Sequence, residues 1–203
     1  IKKGVKRFIF ASTGGAIYGE TAHLPTPEDH PPQPLSPYGI TKLAIENYLR
    51  FYQDYHHLKF VALRYANVYG PRQDPEGEAG VVAIFIRKLL EHKQPVIYGT
   101  GEQTRDFVYV DDVAWANLLA LEGGDNEIIN IGTGCETSIN KLYQEVLAAM
   151  KLDIRVKYGT ARAGEVLKSC LAIEKANKVL GWMPKKSLPD GLRETLKFLK
   201  SGI

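Results

Sequence analysis

The 203-residue sequence predicts an α/β protein whose strands pair in parallel, and three observations carry that expectation. Apolar runs of strand length alternate with stretches of helical period. The first strand reaches the second through a loop and a long helix, the connection that parallel pairing by a right-handed crossover requires. Hydroxyl-bearing and glycine-bearing segments follow the apolar runs, at the strand ends where α/β sheets build their sites. The alternation is less regular in the last third of the chain, which points to a separate, smaller lobe.

Taken in order, Arg7 to Ser12 reads as a buried strand, a short apolar run ended by Thr13-Gly14-Gly15. Six prolines between Thr21 and Pro37 make the next segment an irregular surface loop. Ser36-Pro37 opens a helix from Tyr38 to about His56, in which Leu43, Asn47, Tyr48, Phe51 and Tyr55 recur at helical spacing. Lys59 to Leu63 is the second strand. A helix from Val81 to His92 follows, then short strands at Pro95 to Tyr98 and Phe107 to Val110, with Asp111-Asp112 capping a helix to Leu121. Ile128 to Ile131 is a strand leading into the turn Gly132-Thr133-Gly134. Ser138 opens a helix to Met150 with Ile139, Leu142, Val146 and Met150 on one face. Ile154 to Tyr158 is the last strand, and helices at Glu174 to Leu180 and Asp190 to Leu199 close the sequence.

Composition narrows the function. Twenty-six Lys and Arg against 23 Asp and Glu leave a net charge of +3, too little to imply nucleic acid or a membrane surface as partner, while a small anionic molecule stays open. The longest apolar run, Val81 to Ile86, is far below the ~20 residues that span a bilayer. Cys135 and Cys170 form no Cys-x-x-Cys pattern, and the five histidines lack metal-site spacing, so no disulfide framework and no metal are expected. A reducing cytoplasm fits best. The sequence opens almost directly into a strand without an initiator Met, as a piece of something longer would.

Tyr38-Gly39-Ile40-Thr41-Lys42 places Tyr38 and Lys42 one helical turn apart on one face. A free phenol titrates near about pH 10, and an ammonium beside a phenol favours its ionised form, which makes such a pair useful as a general base. Upstream stands Ser12-Thr13-Gly14-Gly15-Ala16-Ile17-Tyr18-Gly19, and downstream Leu63-Arg64-Tyr65-Ala66-Asn67-Val68-Tyr69-Gly70-Pro71-Arg72. With the run from Gly99 to Asp112, Asn130-Ile131-Gly132-Thr133-Gly134, Arg162-Ala163-Gly164-Glu165 and Leu180-Gly181-Trp182-Met183-Pro184, these segments resemble the extended short-chain dehydrogenase/reductase family. The resemblance is to its nucleotide-sugar epimerases and dehydratases, most closely the UDP-glucose 4-epimerases, and it covers nearly the whole chain.

That resemblance implies the carboxy-terminal part of a doubly wound, Rossmann-type parallel sheet with a smaller α/β substrate-binding lobe. Residues 1–70 would be the remaining part of the NAD-binding domain, and residues 71–203 mostly the substrate lobe, with segments at about 95–135 returning to the sheet. It implies Tyr38 as catalytic base with Lys42 as its partner, and Thr13 as the assisting hydroxyl. The family's Ser or Thr stands four residues before the Tyr of the Tyr-Gly pair, a position held here by Gly14. Ser12, Tyr38, Lys42 and Tyr65 would meet the cofactor, NAD. Asn67, Val81, Tyr98, Arg105, Arg162, Glu165 and Ser169 would meet the substrate, a UDP-sugar, with Arg105 gripping the diphosphate through its planar fork and Ser169 beside the hexose 2-substituent. A homodimer is implied as well.

The reaction implied is 4-epimerisation of a UDP-hexose through a transient 4-keto sugar. Two alternatives are a nucleotide-sugar 4,6-dehydratase, which usually carries Asp-Glu where this sequence has Gly14-Gly15, and a non-catalytic sugar-nucleotide binder, which an intact Tyr38/Lys42 pair disfavours. The chain contains no Gly-x-x-Gly-x-x-Gly turn, so the cofactor pyrophosphate loop is expected in an amino-terminal part of the domain that the sequence lacks.

Overall fold

The computed structural model of the chain describes residues 1–74, 76, 80–161, 164 and 166–201. Strands β1 (Arg7–Thr13), β2 (Lys59–Tyr65) and β7 (Glu127–Ile131) form one sheet, in the order β1-β2-β7, all parallel. Between them in sequence lie α1 (Gly14–Ile17), α2 (Pro37–His56), β3 (Asn67–Tyr69), α3 (Val81–Leu90), β4 (Val96–Tyr98), β5 (Thr104–Arg105), β6 (Phe107–Tyr109) and α4 (Val110–Ala120). After β7 come β8 (Thr137–Ser138), α5 (Ile139–Met150), β9 (Lys157–Gly159), α6 (Glu174–Leu180) and α7 (Leu188–Ser201).

The period-2 alternation of a strand explains how this sheet is covered. Phe60, Ala62 and Ile128 pack with Leu49 of α2 on one face. Val61, Leu63, Ile129 and Ile131 pack on the other with Ala116 of α4, Ala176 of α6 and the fully buried Trp182. Helices on both faces of a parallel sheet make the arrangement doubly wound. Each fully buried Leu, Ile or Val contributes about 1.5–3 kcal/mol. A second core gathers Phe85 and Leu89 of α3, Tyr143 and Val146 of α5, and Leu192 and Leu196 of α7 around the small pairs β3–β6, β4–β9 and β5–β8. No described helix is long and apolar enough to cross a membrane.

Several elements differ from the sequence reading. Strand β1 is the sheet's edge among the described residues, with Phe8 44% exposed, rather than a fully buried strand. An apolar edge of this kind is a template for another strand. Of the residues that set the period of α2, Leu43 packs against the core but Tyr48, Phe51 and Tyr55 are exposed, and the buried positions are Gly39, Glu46 and Leu49. Asp112 does not cap α4, which begins at Val110. Its carboxylate instead accepts the backbone N–H groups of Lys185 and Lys186, at 3.1 and 3.0 Å, while its carbonyl accepts the Trp182 indole N–H at 2.8 Å.

The start of α2 is fixed in three ways. Ser36 accepts from the Gly39 N–H at 3.1 Å, Pro37 supplies a preset φ in the first turn, and Gly39 lets the helix sit against α1. A Cβ at Gly39 would overlap the Ala16 carbonyl oxygen, a backbone atom that cannot swing aside. Gly39→Ala is therefore expected to destabilise the protein by about 1–3 kcal/mol, read as a fall in the urea midpoint, because the two backbones must part. An unchanged midpoint would mean that α2 is not seated on α1 in this way.

Candidate active site

The register of the sheet brings the carboxyl ends of its strands level. Thr13 pairs with Tyr65, and Tyr65 with Ile131. Beyond these ends lies a cavity of about 390 Å³ whose wall includes Ser12, Thr13, Tyr38, Tyr65, Asn67, Val81 and Arg105, drawn from the carboxyl ends of β1 and β2, the start of α2, and β3, α3 and β5. None of the described residues on that wall is acidic.

Not every expected residue stands on it. Lys42 lies one turn along α2, where its ammonium donates to the Ala11 carbonyl at 2.7 Å and sits 5.6 Å from the centre of the Tyr38 ring. Ser169 is buried behind the wall, its hydroxyl 3.9 Å from where a Cβ on cavity-lining Gly15 would fall. Tyr98 stands apart on β4, its carbonyl accepting from the Gln103 amide at 2.8 Å. Arg162 and Glu165 lie outside the described residues.

The three tyrosines of the wall are not equivalent. Burial pushes the phenols of Tyr65 and Tyr69 up, so both stay protonated, and Tyr65 donates to Asn117 at 3.0 Å. Tyr38, in contrast, is 54% exposed at the cavity mouth beside Lys42. Burial also pushes the Cys170 thiol up to about 12, which removes it as a nucleophile. Among the described residues no group of His, Cys, Asp and Glu could hold a metal ion.

Arg105 and Asp106 divide their work. The Asp106 carboxylate is fully buried and accepts from Thr133 N–H at 2.8 Å, Thr133 Oγ1 at 2.6 Å, Gly134 N–H at 3.2 Å and Leu171 N–H at 3.3 Å. Burial pushes this carboxyl up, and those hydrogen bonds oppose the push. A Cβ at Gly132 would overlap the carboxylate, so the turn after β7 needs glycine there. Asp106 thereby ties that turn to β6, leaving Arg105 on the cavity wall, where its guanidinium donates to the Thr104 carbonyl at 2.7 Å.

Sequence reasoning missed the polar row beneath the cavity. Ser12, Arg64 and Asn130 share one register level, on the α2 face of the sheet. Arg64, 3% exposed, donates through Nε and Nη2 to the two oxygens of Glu46, at 3.0 and 2.6 Å, and through Nη1 to the Tyr18 hydroxyl at 2.8 Å. Ser12 donates to Glu46 at 2.6 Å, and Tyr18 to Asn130 at 2.8 Å. Burial works against the charge of Arg64, but the Glu46 carboxylate and the Tyr18 oxygen outweigh it and hold the guanidinium above its usual range. The available signal was an arginine directly after the apolar run Phe60 to Leu63.

Arg64→Met, which leaves Glu46 buried and unpaired, is expected to cost about 3–5 kcal/mol in urea unfolding of the intact protein. The paired change Arg64→Met with Glu46→Leu should recover most of that loss. A single variant as stable as the parent would mean that the ion pair is not buried as described.

A parallel sheet wound on both faces, with a cavity of hydroxyl and amide groups at its carboxyl ends and a Tyr-x-x-x-Lys helix at the mouth, is a Rossmann-type α/β protein. Residues 1–132 match the NAD dependent epimerase/dehydratase family, and the chain belongs to that family. The UDP-glucose 4-epimerase of Mycolicibacterium smegmatis is 41% identical over 199 residues, which are 98% of this chain and 64% of that protein. The crystal structure of the Thermotoga maritima UDP-glucose 4-epimerase with UDP-glucose is 53% identical, with a TM-score of 0.97 over 99% of this chain and 65% of that one. The UDP-N-acetylglucosamine 4-epimerase of Methanobrevibacter ruminantium, in complex with UDP-N-acetylmuramic acid, is 38% identical with a TM-score of 0.94, over 100% of this chain and 65% of that one. The chain thus spans about 65% of the length of these relatives.

Proposed function

We propose that this chain forms the catalytic part of an NAD-dependent UDP-hexose 4-epimerase. The observation that carries the reading is the cavity wall: an exposed tyrosine beside a lysine and a threonine at one side, Asn67 and Arg105 at the other, and no carboxylate among the described residues between them. Such a wall suits a dianionic diphosphate, which an acidic side chain would repel. It also fits the nicotinamide end of NAD. For the pyrophosphate end the chain has no glycine-rich turn, so its residues answer for one end of the cofactor.

Ser12, Tyr38, Lys42 and Tyr65 would hold the nicotinamide end of NAD, which would supply a reversible hydride acceptor for sugar carbon 4. Tyr38 takes the proton of the 4-hydroxyl and gives it back once the 4-keto sugar has turned over. Thr13, whose hydroxyl has no hydrogen-bond partner among the described residues, is free to hold the sugar oxygen during that exchange. The neighbouring Ser12 hydroxyl is committed to Glu46. Lys42 stays beside the Tyr38 ring through its bond to Ala11. Asn67 and Arg105 grip the diphosphate and leave the hexose loose, as a reaction that turns the sugar over requires.

A 4,6-dehydratase shares the first oxidation but must also expel water, which calls for an acid and a base near the sugar. Here the positions after Thr13 are Gly14 and Gly15, and a Cβ at Gly14 would overlap the buried Leu171 side chain. Epimerisation is the better reading. The exposed aromatic stripe Tyr48, Phe51 and Tyr55 on α2 supports a homodimer of the complete protein.

In the intact enzyme, Tyr38→Phe is expected to lower kcat by about 100-fold or more with NAD content unchanged, as loss of a general base does. Near-normal turnover would remove Tyr38 from the mechanism. Substrate width tests Ser169. A small side chain behind Gly15 leaves room for a 2-acetamido group, so UDP-N-acetylglucosamine should be turned over alongside UDP-glucose. Ser169→Tyr should lower kcat/KM for the N-acetylated sugar selectively; equal loss for both sugars would sink the steric assignment.

A further inference from the structure

Three elements that meet at the cavity converge on a carboxylate that is not on its wall. Glu46, 1% exposed, lies on α2 one turn beyond Lys42 and two beyond Tyr38. Its Oε1 accepts the Ser12 hydroxyl at 2.6 Å, and Ser12 is the chain neighbour of Thr13. Its two oxygens hold the fork of Arg64, the chain neighbour of Tyr65. Helix stability does not ask for a charge at this position. The adjoining stretch of the same interface closes with the apolar Leu49, Phe60, Ala62 and Ile128, joined by Phe10 and Ile45, and a buried ion pair is often no more stabilising than apolar side chains of its size.

We infer that Glu46 is a positioning residue for the proposed reaction, holding α2 in register with the end of β1 so that Tyr38 and Thr13 address the same sugar oxygen. The inference rests on the assignment of the base to Tyr38. Helix α2 cannot slide along the sheet without breaking the Ser12 bond and both Arg64 bonds at Glu46. The Lys42 bond to the Ala11 carbonyl ties the next turn in the same direction. Displacement of a reacting group by about 1 Å can cost on the order of 100-fold in rate. The Ser12–Glu46 bond is therefore expected to matter for kcat far more than for stability or for substrate grip.

The test uses the intact enzyme with its NAD and compares Ser12→Ala, Ser12→Thr, the charge-neutral pair Glu46→Leu with Arg64→Met, and that pair combined with Ser12→Ala. Ser12→Ala and the neutral pair should each lower kcat about tenfold, with KM for the UDP-sugar within twofold, NAD content unchanged and the urea midpoint near that of the parent. The triple variant should fall no further than the pair, because the changes act through one bond, and Ser12→Thr should recover most of the rate. Ser12→Ala with kcat within twofold of the parent, or losses that multiply in the triple variant, would overturn the inference. Where the neutral pair does not fold, Ser12→Ala and Ser12→Thr decide it. An inactive Tyr38→Phe beside a fully active Ser12→Ala sinks this inference alone, whereas a fully active Tyr38→Phe sinks the functional reading beneath it.

Discussion

A guanidinium buried in the central strand of a parallel sheet constrains everything around it. Left unpaired, such a charge is costly, and Arg64 meets the demand with a carboxylate from the helix above and a phenol from the loop beyond β1. Because the fork is planar, those acceptors must lie in its plane, so α2, the end of β1 and the segment after α1 are fixed with respect to β2. Tyr18 accepts from Arg64 and therefore donates to Asn130, whose amide turns its N–H toward the Thr26 carbonyl at 3.0 Å. The polar row thus reaches from the helix that carries Tyr38 to the loop that passes behind the sheet.

The cavity stands on that row. Its wall is one residue further along each strand, on Thr13 and Tyr65, so errors in the row pass directly to the groups that would handle the sugar. Gly39 makes the approach of α2 close, and Asp106 does the same for the opposite wall by gathering the N–H groups of Thr133, Gly134 and Leu171. The two motifs around Arg105 and Gly132, far apart in sequence, are thus one structural unit. Rigid backbone on both sides of the cavity suits the proposed reaction on two faces of one sugar carbon.

Much of this was legible in the sequence where the determinants are local. The Ser36-Pro37 start of α2, the spacing of Tyr38 and Lys42, and the Ser138 cap of α5 depend on neighbours within one turn. The buried row was not legible, because Ser12, Glu46, Arg64 and Asn130 meet only once strand register is known. Strands β3, β5 and β8 are two or three residues long, too short for any period to show. The stripe Tyr48, Phe51 and Tyr55 has a helical period without facing the core, since spacing gives a face and not what covers it. Tyr98 and Ser169, to which the resemblance gives substrate contacts, stand on β4 and behind Gly15, places that only the fold shows.

The most direct test of transient oxidation at carbon 4 follows the hydrogen on that carbon. The intact protein would be given UDP-glucose in deuterium oxide, and any UDP-galactose formed would be examined by NMR. Hydride removal and return at one carbon, with Tyr38 moving only the hydroxyl proton, predicts a product with no deuterium at carbon 4. Deuterium bound to carbon 4 would show that the hydrogen had passed through solvent, and would contradict the reaction that this cavity is proposed to perform.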